Sequence, residues 1–314
     1  MKVVVLGASG MLGSMVVDWL GRDGELRVLA TLRSPAGRQF FEGAYPAADW
    51  RVLNLDLDRS PASLRQLLAG AAWVVNCIGV IKPFIHEDIP AEIERAIRIN
   101  ALFPHALARA AADCEVQVLQ IATDCVYSGA QGGYLENRAH DAPDVYGKTK
   151  SLGEAASPHV HHLRASILGP EPLRHVSLLD WFLLQPHRAS ITGYTNHRWN
   201  GVTTLHFARL CHGAIREGLG LTHMQHIVPS GTVTKEDLMH RFAVIFNRED
   251  VEIIPAAATV AADRTLATLD PAANARLWAA AGYRQPPSLP EMLAELAEFD
   301  YRCAPQLSCL RAGA

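Results

Sequence analysis

Several things are missing from these 314 residues, and each absence closes off a class of protein. The six cysteines, Cys77, Cys114, Cys125, Cys211, Cys303 and Cys309, are scattered and include no CxxC pair, so neither a disulfide framework nor a cysteine metal site is expected. Charge of one sign is not in excess. The 29 Lys and Arg against 32 Asp and Glu leave a formal net charge of −3, which offers no footprint for nucleic acid or an acidic membrane surface. The longest apolar run, Ala69 to Ile81, is broken by Asn76 and falls short of the roughly 20 residues that a membrane-spanning helix needs. No signal-peptide pattern precedes the first strand-like run, and there is no internal repeat or low-complexity tract. His159, His161 and His162 cluster, but no acidic or cysteine partner stands at a metal-site spacing. The expectation is a soluble, cytoplasmic protein without metal, nucleic acid or membrane partners.

What is present is a 49% hydrophobic chain, long enough for one large domain or two intimately joined ones. Val3 to Leu6 is a continuous apolar run, as a strand buried on both faces requires. Gly7-Ala8-Ser9-Gly10-Met11-Leu12-Gly13 follows at once, then an apolar-periodic helix to about Leu20. Strand, GxxGxxG, helix is the arrangement in which glycines let the backbone approach a pyrophosphate at a helix N-terminus. Gly7, Ser9, Gly10, Met11, Leu12 and Gly13 are therefore expected to bind a dinucleotide. The second strand, Leu26 to Leu32, ends without the Asp or Glu that would hold an NAD ribose; Arg33 stands there instead and suits a 2′-phosphate. NADP(H) is thus preferred over NAD(H).

Val52 to Leu55 is expected to form a third strand, with Asp56 and Leu57 flanking an adenine. Trp73 to Cys77 forms a fourth, with Cys77, Ile78 and Gly79 at its end where the cofactor's sugar and phosphate would pass. A helix from about Ala91 to Ala112 carries Asn100, whose amide would satisfy backbone groups nearby. Strands alternating with helices predict an α/β fold: a Rossmann-like, doubly wound parallel sheet with a smaller C-terminal α/β substrate-binding domain. Residues 1–169 would form the NADP(H)-binding part and 170–314 the substrate-binding part, with about 203–230 returning to the first.

The chemistry concentrates in Ile121 to Glu154, IATDCVYSGAQGGYLENRAHDAPDVYGKTKSLGE. A buried strand, Val116 to Ile121, would deliver Thr123, and a helix opening near Asp144 carries Tyr146 and Lys150 one turn apart on one face. A phenol has a pKa of about 10, and a neighbouring cation lowers it towards the working range. Thr123 would hydrogen-bond the oxygen that Tyr146 protonates, as a carbonyl/alcohol pair requires.

These residues, together with NCIG, LRASILGPE, SGTVTKEDL and ADRTLATLD, resemble the extended short-chain dehydrogenase/reductases that act on nucleotide-linked sugars. ATDCVYSG followed by DVYGKTKSLGE is most similar to the dTDP-4-dehydrorhamnose reductase branch, whose pattern is STDxVFxG and then VYGxTKxxGE. The resemblance covers nearly the whole chain. It implies catalytic roles for Thr123, Tyr146 and Lys150, substrate contacts from Thr123 and Asp124, and a nucleotide-sugar substrate, with a homodimer as a possible assembly. Dehydratases of the family carry TDE in this loop; here Cys125 replaces the glutamate, which disfavours dehydration.

The GDP-fucose synthase branch has a cysteine at this position and a His-Val pair after its GP turn, matched here by Cys125 and by His175-Val176. That resemblance implies an alternative, an epimerase or epimerase-reductase in which Cys125 and His175 exchange protons beside the ketone. In the C-terminal half, Ser177 to Gln185 reads as a helix, and Ser190–Tyr194 and Arg198–Val202 as hairpins or loops that line the family's sugar-nucleotide cleft. Trp199 and Asn200 would meet the substrate there, and Arg264 resembles the family arginine that grips the diphosphate. A third reading, a non-catalytic NADP(H)-sensing subunit, has no need of Thr123, Tyr146 and Lys150 together. The leading expectation is NADPH-dependent reduction of a nucleotide-linked 4-ketosugar, in surface-polysaccharide or deoxysugar biosynthesis.

Overall fold

The computed structural model describes residues 1–56 and 61–303, so Leu57 and Cys309 lie outside the described residues. The first half of the chain runs β1 (Lys2–Leu6), α1 (Met11–Leu20), β2 (Arg27–Leu32), α2 (Arg38–Ala44), β3 (Asp49–Val52), α3 (Pro61–Leu68) and β4 (Trp73–Asn76). It continues with α4 (Pro90–Ala96), α5 (Phe103–Asp113), β5 (Gln117–Ala122), α6 (Val145–Leu152) and β6 (Val160–Arg164). The second half adds β7 (Ile167–Leu168), α7 (Leu178–Leu183), β8 (Ser190–Tyr194), β9 (His197–Trp199), β10 (Val202–Thr203), α8 (Thr204–Glu217) and β11 (Met224–His226). It closes with β12 (Val233–Thr234), α9 (Lys235–Ile245), β13 (Glu252–Ala256), β14 (Ala262–Asp263), α10 (Pro271–Ala280) and α11 (Leu289–Glu298).

Seven strands form one parallel sheet in the order β3-β2-β1-β4-β5-β6-β11. Strand β1 shows why its sequence is apolar throughout. Val3 and Val5 face one core with Met15 and Val16 of α1 and Leu205 and Ala208 of α8, while Val4 and Leu6 face another with Phe103, Leu107 and Ala111 of α5. The chain order reverses between β1 and β4, the switch point at which ligands bind in open α/β sheets. Helix α8 packs against α1, and β11 extends the sheet beside β6. Among the described residues, no helix is long and apolar enough to cross a membrane.

Three expectations need correction. The third strand is Asp49–Val52 rather than Val52–Leu55: Trp50 is buried beside Phe41 and sets the register, with Leu29 opposite Asp49 and Leu32 opposite Val52. The helix expected over Ala91–Ala112 is not uniform, because Ile97–Leu102 forms a π-helical segment between α4 and α5. Pro104 has no N–H to offer the Asn100 carbonyl four residues earlier, and the wider turn accommodates that loss. The segment Ser190–Val202 does not close on itself as hairpins. Strand β8 pairs with β13, and β9 pairs with β12 and β14, so its partners lie far along the chain.

Candidate active site

At the end of β1, Gly7 adopts a left-handed backbone (φ +77°), and a Cβ on Gly13 would lie 2.2 Å from the Gly7 carbonyl oxygen. Only glycine permits that approach of α1 to the strand. The helix begins at Gly10 with no side-chain cap and no acidic residue in its first turn, which leaves its N–H groups and dipole for an anion. Ser9 and Met11 are partly exposed here, whereas the Leu12 side chain turns into the core and can offer only its backbone. Ile78 from the end of β4 sits directly against Gly7, its nitrogen held by the Asn76 side chain at 3.1 Å. Gly79 lies against Asn100, and burial pushes the adjacent Cys77 thiol up to about 12. This cradle fits a dinucleotide pyrophosphate.

Arg33 is exposed at the end of β2. Partial desolvation by its neighbours and the like charges of Arg95 and Arg174 lower its pKa, with Asp56 opposing. Asp56 itself pairs with Arg98 at 3.2 Å and Arg95 at 3.7 Å. The surplus here is cationic and suits a phosphate. Arg95 and Arg174 escaped the reading of the sequence, because neither belongs to a local motif.

Strand β5 delivers Thr123, whose hydroxyl caps a short turn, Asp124–Val126, by accepting from the Cys125 nitrogen at 3.1 Å and donating to Asp124 Oδ1 at 3.2 Å. Asp144 caps α6 by accepting from the Gly147 nitrogen at 2.7 Å and pairs with Lys82 at 2.5 Å. A Cβ on Gly147 would lie 2.3 Å from the Cys125 carbonyl, so α6 presses on the Thr123–Cys125 turn. Tyr146 is thereby set beside Thr123, Asp124 and Cys125.

Asn100 fixes the other side of α6: its amide exchanges two hydrogen bonds with the Val80 backbone and donates to Thr149 Oγ1 at 3.3 Å. Lys150 donates to the Ile121 carbonyl at 3.2 Å. Desolvation brings its pKa down to about 8, with Glu154 raising it and Arg164 lowering it. Glu154 in turn is paired with the fully buried Arg164.

The expected electrostatic relation of Lys150 to Tyr146 is corrected. Burial raises the phenol above its ordinary range, Cys125, Asp124 and Asp144 adding to the rise and Thr123 opposing it. The lysine's hydrogen bond goes to the strand carbonyl of Ile121. Burial and the Asp124 charge push the Cys125 thiol up to about 12, so at neutral pH it is protonated. His175, in a left-handed backbone conformation (φ +54°), lies beside Asp180 with Nδ1 3.7 Å from Oδ2.

Trp199 and Asn200, expected at the substrate, are both engaged within the protein. Trp199 is buried in the core and donates its indole N–H to Ser166 Oγ at 2.7 Å, so it has no open face for a base or sugar. Asn200 uses both ends of its amide on the Leu266 backbone, at 2.8 and 2.9 Å. Arg264 approaches the site, but Nε and Nη2 donate to the Tyr127 and Ser128 carbonyls, both at 3.0 Å, and its charge reaches Asp124 and Cys125. The histidines of β6 are consumed locally: His161 bonds Gln117, and His162 faces the Ala155 carbonyl with its pKa pushed down to about 3 by burial. Among the described residues, no group of three His, Cys, Asp or Glu side chains could hold a metal ion.

A glycine cradle at the switch point of a parallel sheet, with a Tyr-Lys helix alongside, defines the extended short-chain dehydrogenase/reductase class. Within it the chain belongs to the RmlD substrate binding domain family, whose family model matches residues 1–168. A relative from Mycolicibacterium smegmatis, named dTDP-4-dehydrorhamnose reductase, is 28% identical over 171 residues, covering 52% of this chain and 45% of that protein. The chain thus spans about half the length of the curated relatives it matches.

Solved structures share the fold. A dTDP-4-dehydrorhamnose reductase from Bacillus anthracis, in complex with NADP, superposes with TM-score 0.70 at 18% identity over 94% of this chain and 98% of its own. A UDP-glucuronic acid 4-epimerase variant from Bacillus cereus, solved with NAD, gives TM-score 0.73 at 17% identity over 98% and 100%.

Proposed function

We propose that this chain is an NADPH-dependent reductase of a nucleotide-linked 4-ketosugar, serving surface-polysaccharide or deoxysugar biosynthesis. The observation that carries the reading is the convergence of Thr123, Tyr146 and Lys150 beside the glycine cradle. Gly7, Gly10 and Gly13 with the N-terminus of α1 would hold the pyrophosphate. Arg33, with Arg95 and Arg174, would hold a 2′-phosphate. The dinucleotide, when bound, supplies the hydride for C4.

The raised pKa of Tyr146 keeps the phenol protonated at neutral pH, the form that donates to the developing C4 alkoxide. Thr123 Oγ1, already beside the phenol, orients the carbonyl oxygen. Lys150 secures α6 to β5 through Ile121, so that phenol and hydroxyl keep their spacing. We read residues 1–169 as the cofactor-binding part and 170–314 as the substrate-binding part, with about 203–230 returning to the first. The epimerase reading is less well supported. A thiol near pKa 12 is a poor base, and His175 lies against the Asp180 carboxylate. Oxidation of NADPH by nucleotide-linked 4-ketosugars tests the proposal; no oxidation with any of a dTDP-, UDP- and GDP-linked panel would sink it.

A further inference from the structure

Lys235 opens α9, directly after Thr234, which caps the helix in a reciprocal pair with Asp237. A lysine at this point is disfavoured three times over. Its charge sits at the positive end of the helix dipole. Desolvation by the surrounding protein lowers its pKa. Among the described residues, no acceptor lies within hydrogen-bonding distance of its ammonium, although an ammonium carries three donors. On the other side of the balance stand the Trp199 ring, with Nζ 5.6 Å from its centroid, and the field of Asp124, with which the ammonium forms no ion pair. The side chain is half-buried and its Nζ is not sealed from solvent, so a ligand entering the site can take up those donors.

The surroundings of that cation say which part of the site it serves. Asp124 and Cys125 are the charged and titratable groups that act on Lys235. The same two residues act on the Tyr146 phenol. Lys235 therefore lies within the field of the Asp124–Val126 turn that adjoins the Tyr146 phenol. Trp199, buried and pinned to Ser166, is the platform that holds the lysine there.

We propose that Lys235 is a substrate-contacting residue, whose ammonium donates to oxygen substituents of the sugar ring next to the carbonyl carbon that Tyr146 serves. This rests on the reading of the chain as a nucleotide-ketosugar reductase and assigns the sugar subsite of that same site. The contact selects a sugar bearing oxygen acceptors beside the ketone, and it leaves the nucleoside diphosphate to other residues.

The test compares wild type with Lys235→Met, which keeps the apolar stem against Trp199 and removes the charge. Binding of NADPH and thermal melting establish that the variant is folded. Dissociation constants are then measured for dTDP- and UDP-linked 4-keto-6-deoxyhexoses and for dTDP and UDP alone. Affinity for the nucleotide sugar should fall about tenfold to hundredfold, as loss of a charged hydrogen bond implies, while affinity for the free diphosphate stays within about twofold. An equal loss for both ligands, or no loss for either, would overturn the assignment.

A second measurement does not depend on the variant. Reductive methylation of wild type, mapped by mass spectrometry, should show Lys235 protected by the nucleotide sugar and unprotected by the diphosphate; the reverse pattern counts against the proposal. If wild type binds no nucleotide sugar at all, the reductase reading itself fails, and this one with it.

Discussion

The Lys150 ammonium donates to the Ile121 carbonyl at 3.2 Å, joining the helix that carries Tyr146 to the strand that delivers Thr123. Burial is the largest influence on the Tyr146 pKa and raises it above the ordinary phenol range. The phenol stays protonated and suits a donor's role in the direction of reduction.

Replacement of Tyr146 by Phe removes that proton. Turnover should fall by about 10² to 10⁴, the range for a positioned acid–base group, while NADPH affinity stays within about threefold. Steady-state kinetics with a fluorescence titration of NADPH checks this, and retention of more than a tenth of the wild-type turnover would remove Tyr146 from its role.

The pH profile should carry the signature of Lys150. With a pKa near 8 the ammonium is intact below that pH and is lost above it, so activity should fall on the alkaline side with an apparent pKa close to 8. Glu154 raises the lysine's pKa, so Glu154→Gln should move that limb to lower pH. The same substitution leaves the buried Arg164 without its carboxylate and should cost roughly 3–5 kcal/mol of stability, seen in denaturant unfolding. A limb that stays in place in this variant separates Glu154 from the lysine.

Arg33→Ala should weaken NADPH by about tenfold to hundredfold, as loss of charged hydrogen bonds to a phosphate implies, and leave NADH nearly unchanged. Equal effects on the two cofactors would place the 2′-phosphate elsewhere.

Cys125, half-buried, should behave as an unactivated thiol. With its pKa near 12, iodoacetamide at pH 7.5 should modify it at least tenfold more slowly than an ordinary cysteine, and Cys125→Ser should retain reductase turnover within about fivefold. Rapid alkylation, or loss of turnover in the serine variant, would reopen a proton-transfer role for the thiol.

Elements whose cause is local were legible in the sequence. Val3–Leu6 with Gly7–Gly13 encodes a strand, a tight turn and a helix within a few residues, and the sheet and its cradle follow from it. The cap at Asp144 and the Tyr146–Lys150 spacing are equally local. Long-range packing hid the rest. Trp199 reads as a stacking residue until Ser166, 33 positions away, claims its N–H. Asn200 is spent on Leu266, 66 positions away. Lys235 lies in a stretch whose sequence shows only a helix start, and only the fold brings it into the field of Asp124 and Cys125. The π-helical turn at Asn100 could have been anticipated from Pro104, which removes a helical donor.

The most direct measurement incubates the protein with NADPH and a panel of nucleotide-linked 4-ketosugars in deuterated water, following nicotinamide absorbance and product mass. A plain reductase consumes NADPH in step with product and fixes no solvent deuterium at carbon. Deuterium at the carbons flanking C4 would contradict that account and bring Cys125 and His175 into the mechanism; NADPH binding without consumption would leave a sensor in place of an enzyme.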